Sequence, residues 1–273
     1  MESFNELDFR GALTKLGVEK GSIIYITGNL GKIGAPSLFG KRIKNKQDIL
    51  KFYLNGILDF IGENGTIVFP THTWNLVRSN IPFDPEKTPT HITFSEYIRN
   101  KLPVKRQIHP FASICAYGKY ANSIISDEIT RHPYGINSPY EFLAKNKCIF
   151  ISLGMPARRS IAPVHYCEFK AGIPYRYTKS FKHKILINGK YSYEEFFLFV
   201  CYNNVEILRD QNDKIFSLEK IRKKTLKADL GNSFIESISL DYFINETLSS
   251  MLNDPYIWVK EIKSNSNNIP WLK

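Results

Sequence analysis

Apolar residues recur along this chain in two rhythms, and the switching between them predicts most of the fold. Short continuous runs, Ile23-Ile24-Tyr25-Ile26, Thr66-Ile67-Val68-Phe69, Ser113-Ile114-Cys115-Ala116-Tyr117-Gly118 and Cys148-Ile149-Phe150-Ile151-Ser152-Leu153, are punctuated by glycine or proline and read as strands. Between the first two, Leu50, Tyr53, Leu54, Ile57, Leu58 and Ile61 fall on one stripe, which predicts an amphipathic helix over 46–61. Shorter helices are expected at 94–102 and at Ser138–Leu143, where Pro139 suits a first turn. A further helix is expected at the N-terminus, where Ser3-x-x-Glu6 reads as a capping box ahead of Leu7, Leu13 and Leu16. Strand, helix and strand in succession argue for an α/β sheet with ligand-binding groups at the carboxyl ends of its strands.

Past Tyr177 the pattern changes. Lys182–Val200 reads as a hairpin turning at Asn188-Gly189, followed by a charged helix at 217–224, a last helix at 241–252 and a loose polar tail, Ser264-Asn265-Ser266-Asn267-Asn268. No repeat or linker divides the chain, so one domain over 1–273 is expected. Its core is a mixed central sheet flanked by helices across 1–177, and 178–273 form a C-terminal hairpin and helix elaboration. The segment 74–91, with Pro82, Pro85 and Pro89, is expected to be a long irregular loop, and such loops often carry function.

Composition narrows the class. With 273 residues, 43% apolar and 14% aromatic, the chain is globular. No apolar run approaches the ~20 residues needed to span a bilayer, and Met1-Glu2-Ser3-Phe4-Asn5-Glu6 lacks the basic and apolar regions of a signal peptide, so a soluble cytoplasmic protein, monomer or homodimer, is expected. The four cysteines, Cys115, Cys148, Cys167 and Cys201, are widely spaced and read as reduced, mostly buried thiols. A formal charge of +11 favours anionic partners: nucleic acid, a membrane surface or a phosphorylated small molecule. The basic clusters, Lys41-Arg42-Ile43-Lys44 and 220–224, are not interleaved with aromatics, and the default for each is a solvated surface.

The candidate chemistry lies in Val164-His165-Tyr166-Cys167-Glu168-Phe169, just after the strand that ends at Gly154. Three residues apart, His165 and Glu168 share one face of a helix, where a carboxylate can fix the imidazole tautomer and raise its basicity for proton removal. A plain surface ion pair is the alternative reading of the same spacing. Cys167 could be a nucleophile beside a base, but it points about 200° around the helix from His165, which favours packing. A glycine-rich turn, Thr27-Gly28-Asn29-Leu30-Gly31-Lys32-Ile33-Gly34, matches neither the dinucleotide fingerprint nor the P-loop, and reads either as a backbone cradle for a ligand or as an ordinary mobile turn. Three more residues carry two readings each: His72 as substrate contact or structural histidine, His109 as a catalytic group or the holder of a pre-proline loop, Asp84 as acceptor contact or turn former before Pro85.

Taken in order, Gly65-Thr66-Ile67-Val68-Phe69-Pro70-Thr71-His72-Thr73, Phe83-Asp84-Pro85 with Thr88-Pro89, Arg106 with His109-Pro110 and Ser113, Gly118, Gly135 with Ser138-Pro139, Gly154 and His165-x-x-Glu168 resemble the aminoglycoside 3-N-acetyltransferase family of antibiotic and amino-sugar N-acetyltransferases. The resemblance covers 10–177 well and the remainder loosely. It implies that family's α/β fold and acetyl transfer from acetyl-CoA to an amine of a sugar-like substrate, by direct attack and without metal. His165 falls on the family's essential histidine and Glu168 on its partner carboxylate. Thr27, Gly28, Asn29, Leu30, Gly31 and Lys32 would line the coenzyme together with Thr73 and Ser113, with Lys32, Lys41 or Arg42 at its phosphates; His72, Asp84 and His109 would face the acceptor. Two positions depart from the family: Thr27-Gly28-Asn29 stands where members usually carry His-Ser-Ser, and Ala162-Pro163 where they carry Thr-Ser, leaving a hydroxyl role there lost or supplied by Ser160.

Aminoglycosides are polycations, whereas this chain is strongly basic, and every member of such a family must bind coenzyme phosphates. The excess charge therefore favours an anionic or nucleotide-linked amino sugar, as in surface glycan biosynthesis, with an antibiotic acceptor as the alternative. Two rivals come from other classes. One is a metal hydrolase built on His72, His109, His165 and Glu168; the other is a basic nucleic-acid-binding protein, which no stacking or helix-turn-helix pattern supports.

Overall fold

A computed structural model describes residues 4–208 and 214–262. In chain order the elements are α1 (Glu6–Lys15), β1 (Ile23–Gly28), α2 (Leu30–Ile33), β2 (Ser37–Leu38), β3 (Lys41–Arg42), α3 (Lys46–Ile61), β4 (Thr66–Pro70), α4 (Thr93–Lys101), β5 (Lys105–Arg106), β6 (Ile114–Gly118), α5 (Ala121–Ile124), α6 (Pro139–Lys145), β7 (Cys148–Leu153) and α7 (Val164–Ala171). There follow β8 (Arg176–Ile187), β9 (Lys190–Cys201), β10 (Val205–Ile207), α8 (Lys214–Ser217), α9 (Glu219–Lys224), β11 (Leu226–Leu230), β12 (Ser233–Ser239), α10 (Leu240–Asn253) and β13 (Val259–Ile262). Seven strands form one mixed sheet in the order β11-β12-β7-β1-β4-β6-β5. Its centre, β7, β1 and β4, is parallel, and β12 and β6 flank that centre antiparallel.

Strand alternation divides the interior. Along β1, Ile23 and Tyr25 join the cluster under α6, α7 and α10, while Ile24 and Ile26 join the one under α1 and α3. The stripe on α3 is buried as expected at Leu50, Tyr53, Leu54, Ile57 and Ile61; Asn45 caps its start, accepting from the N–H groups of Gln47 and Asp48. A third cluster, including Phe83, Phe111, Ile185, Phe196 and Leu198, holds the long β8–β9 hairpin against the 74–91 loop. That hairpin turns where expected, with both Asn188 (φ 50) and Gly189 (φ 73) in the left-handed region that a tight two-residue turn demands.

Two expectations change. The N-terminal capping box is formed by Asn5 and Asp8, two residues beyond the expected start, and Leu7 is 78% exposed while Leu13 and Leu16 are buried. The C-terminal elaboration holds the expected hairpin and helix and adds to the core: β11 and β12 extend the central sheet through β7, and α10 packs on α7 and α6. Leu226–Ser239 mixes lysine, aspartate, glutamate and serine into an alternation too weak to read as strands. The polar tail, and Ser3 of the expected cap, lie outside the described residues.

Candidate active site

Parallel order puts the carboxyl ends of β1, β4 and β7 at one edge of the sheet, so Thr27–Lys32, Thr71–Thr73 and the turn leading to α7 emerge together. Chain connections leave β1 and β7 in opposite directions, toward β4 and toward β12, so the crevice of an open α/β sheet falls between them. Glycines permit the close approach there. A Cβ on Gly28 would lie 2.2 Å from the Leu153 carbonyl oxygen and one on Gly154 would lie 2.4 Å from the Asn29 oxygen. The turn is shaped further by Asn29, whose N–H donates to Leu153 and whose side chain accepts from Gly31 N–H.

At this edge His165 Nδ1 lies 2.6 Å from Glu168 Oε2. The imidazole keeps 21% of its side chain exposed while Glu168 is sealed. The other carboxylate oxygen accepts from Tyr175 Oη at 2.8 Å and lies 2.8 Å from Arg176 Nε. That arginine N–H is not aligned on the oxygen, so the contact acts as an ion pair more than as a directed hydrogen bond. Burial alone would raise the Glu168 pKa, but the bonds and charges of His165 and Arg176 outweigh it and hold the group below its ordinary value. A fixed carboxylate that accepts from Nδ1–H leaves the basic lone pair of the imidazole on Nε2. Tyr134 and Trp258 flank the ring with centroids 6.1 Å and 6.0 Å away. Neither Tyr175 nor Arg176 was singled out from the sequence; their one signal was position, just past the glycine that ends α7.

The remaining candidates separate. His72 sits at the carboxyl end of β4, half-buried, its ring 5.1 Å from that of Trp74; burial, then the charges of His165, His91 and Arg106, push its pKa down to about 3. His109 leaves the site altogether. It is fully buried, Nδ1 accepts from the N–H groups of Phe111 and Ala112, Nε2 faces the Phe197 carbonyl at 3.4 Å, and burial pushes it down to about 3, so it holds the pre-proline loop. Asp84 forms a turn, accepting from the N–H groups of Glu86 and Lys87, on the rim of a separate cavity of about 680 Å³.

Thr73 and Ser113 are also fully buried: Thr73 Oγ1 donates to the Pro110 carbonyl, and Ser113 Oγ donates to the Thr71 carbonyl and accepts from Arg106. Their hydroxyls are used in zipping 71–73 to 110–113. Arg106 is the hub of that zipper, bonding to the Thr71 and Thr88 carbonyls and lying over Phe83. Ser160 bonds to Ser152, and so braces the turn before α7. Cys167 is buried against the Ile244 carbonyl, and burial raises its thiol pKa, so it packs as expected.

Among the described residues, no group of three or more His, Cys, Asp and Glu is arranged to hold a metal ion, and the set His72, His109, His165 and Glu168 does not converge. No described helix is long and apolar enough to cross a membrane. The profile of the aminoglycoside 3-N-acetyltransferase family matches residues 41–229. The SPbeta prophage-derived aminoglycoside N(3')-acetyltransferase-like protein YokD of Bacillus subtilis (strain 168) is 24% identical over 206 residues, 67% of this chain and 71% of that one. Aminoglycoside N(3)-acetyltransferase III of Salmonella sp is 25% identical over 182 residues, 60% of this chain and 59% of that one. Among solved structures, AAC-IIIb as a binary complex with CoASH superposes with a TM-score of 0.76 at 16% identity, covering 97% of this chain and 100% of that one.

Proposed function

The chain belongs to the aminoglycoside 3-N-acetyltransferase family, acyltransferases that draw on acetyl-CoA, and from that premise we propose that it transfers the acetyl group of acetyl-CoA to an amine of an aminoglycoside-type amino sugar. The observation that carries the reading is the His165–Glu168 pair: a partly open imidazole 2.6 Å from a sealed, doubly supported carboxylate at the carboxyl edge of the parallel strands. An amine is protonated near neutral pH and cannot attack until a base removes a proton. Solvent takes that first proton, and His165 Nε2 takes the amine's second as the nitrogen adds to the thioester carbonyl, a contribution of ~10²–10⁴-fold in rate. Glu168 stabilises the imidazolium, and Tyr175 with Arg176 keeps Glu168 ionised and aimed. The proton then passes from His165 to the departing thiolate.

For the coenzyme, the Thr27–Lys32 turn offers its outer side, where Asn29, Gly31 and Lys32 are exposed. Its inner side, with Thr27, Gly28 and Leu30, closes on a cavity of only about 10 Å³. Lys41 and Arg42, both exposed on β3, suit the phosphates. The relatives' names favour the antibiotic-type acceptor over the anionic one that the net charge of +11 alone suggests. Thiol release from acetyl-CoA, measured against kanamycin-type aminoglycosides and nucleotide-linked amino sugars in parallel, tests this. Turnover on the first set is expected; faster turnover on the second would return the anionic acceptor, and none on either would refute the reading.

A further inference from the structure

His72 is a half-buried titratable group that the mechanism above leaves unused. Its position is over-determined: Thr71 and Thr73 on either side have backbone N–H bonds to Ser113 and Phe111, and Thr90 Oγ1 donates to the His72 carbonyl at 2.9 Å. Such restraint on a residue at the carboxyl end of β4 presents one ring in one place.

The ring's two nitrogens have unlike surroundings. Among the described residues Nε2 is enclosed without a hydrogen-bond partner, Nδ1 is not among the enclosed unpartnered atoms, and the residue is half-buried. Enclosing an N–H that has no acceptor costs more than enclosing a lone pair, so the proton of the neutral ring belongs on Nδ1. His165, His91 and Arg106 all act on His72 in the sense of added positive charge, and His165 gains a full charge during turnover. Positive charge there favours a group that turns negative in the transition state. The one group in the reaction that becomes negative, the thioester carbonyl oxygen, is drawn to it.

We infer that His72 Nδ1–H donates a hydrogen bond to the acyl carbonyl oxygen and makes part of the oxyanion site, an assignment that rests on the acetyltransferase reading. As the amine nitrogen bonds to the carbonyl carbon, the C=O π pair moves onto oxygen, where the His72 N–H holds it, and the amine proton goes to His165 Nε2. When the pair returns, the C–S bond breaks and the thiolate takes the proton from His165. His72 keeps its own proton throughout. A neutral ring is needed for this: a second base beside His165 would compete for the amine proton, and burial keeps His72 from being one.

The test uses the full-length enzyme with acetyl-CoA and an aminoglycoside that the wild type turns over. His72→Phe, which keeps a ring and removes the donor, is expected to lower kcat about 10²-fold with the acetyl-CoA KM within about threefold of wild type, and His72→Gln, which restores an N–H, to recover about tenfold of the loss. Independently, the carbonyl infrared band of [1-13C]acetyl-CoA bound to folded His165→Ala enzyme is expected at lower frequency than in free acetyl-CoA, and to return toward it in His72→Phe/His165→Ala. A His72→Phe kcat within threefold of wild type, a rise in KM that accounts for the whole loss, or an unshifted band on His165→Ala overturns the assignment. Absence of wild-type turnover with acetyl-CoA would instead overturn the functional reading beneath it.

Discussion

Replacing Glu168 by Gln keeps the shape of the side chain and removes its charge. The carboxylate holds His165 at 2.6 Å on one oxygen and Tyr175 and Arg176 at 2.8 Å each on the other, and is sealed from water. A hydrogen bond to an ionised group contributes about 1.5–3 kcal/mol, so losing the carboxylate that supports the imidazolium should lower kcat by roughly 10- to 100-fold. Reciprocity sets the pH dependence. The contact that keeps the proton off Glu168 keeps it on His165, so in Glu168→Gln the acidic limb of kcat/KM moves to lower pH while the plateau falls. Stability falls as well, because Arg176, with only 9% of its side chain exposed, loses its anion; breaking a buried pair this way costs about 3–5 kcal/mol. The double variant Glu168→Gln/Arg176→Met should regain much of that stability and none of the rate. Thiol-release kinetics from pH 5 to 9, with urea unfolding of all three proteins, distinguish the effects. A plateau within twofold of wild type and an unmoved acidic limb would refute the role given to this carboxylate.

Acid should destabilise the protein from near pH 6.5 downward. His109 is held near a pKa of about 3, below its ordinary 6.5, so the unfolded chain binds the proton first and stability is lost between those values, by roughly 1.4 kcal/mol per pH unit for this group. Urea unfolding at pH 6, 5 and 4 should show a shallower slope in His109→Asn, by about that amount. Gly28→Ala puts a methyl group 2.2 Å from the Leu153 oxygen at φ +131, so it should cost well over the ~1–3 kcal/mol of backbone strain alone; a urea-derived loss under 0.5 kcal/mol would contradict the close approach of β1 and β7. Cys167→Ala should keep kcat within about twofold in the thiol-release assay, since the thiol is sealed against Ile244 and its pKa is raised by burial; a hundredfold loss would return it to the chemistry.

Local pattern carried far in this chain. The β1, β4, β6 and β7 runs, the α3 stripe, the Asn188-Gly189 turn and the i, i+3 spacing of His165 and Glu168 each depend on neighbours within a few residues, and each stands in the structure where the residues indicated. Spacing also turns Cys167 away from the reaction face, and the structure buries it against the Ile244 carbonyl.

What separated the polar candidates was decided at long range. His109, Thr73 and Ser113 look like site residues in a row of letters, but their hydrogen-bond partners, Phe197 for one and Arg106 for another, come from other segments and draw them inward. Arg176, which completes the charge balance on Glu168, sits at the start of a hairpin with no local mark of function, and the two strands that close the sheet lie in a stretch too polar to announce itself. The sequence alone determined which groups could exchange a proton, because reactivity is a property of the side chain and its near neighbours. Which of them meet solvent, and which carboxylate stays charged in the interior, only the tertiary structure decided, because burial and ion pairing depend on contacts between residues far apart in the chain.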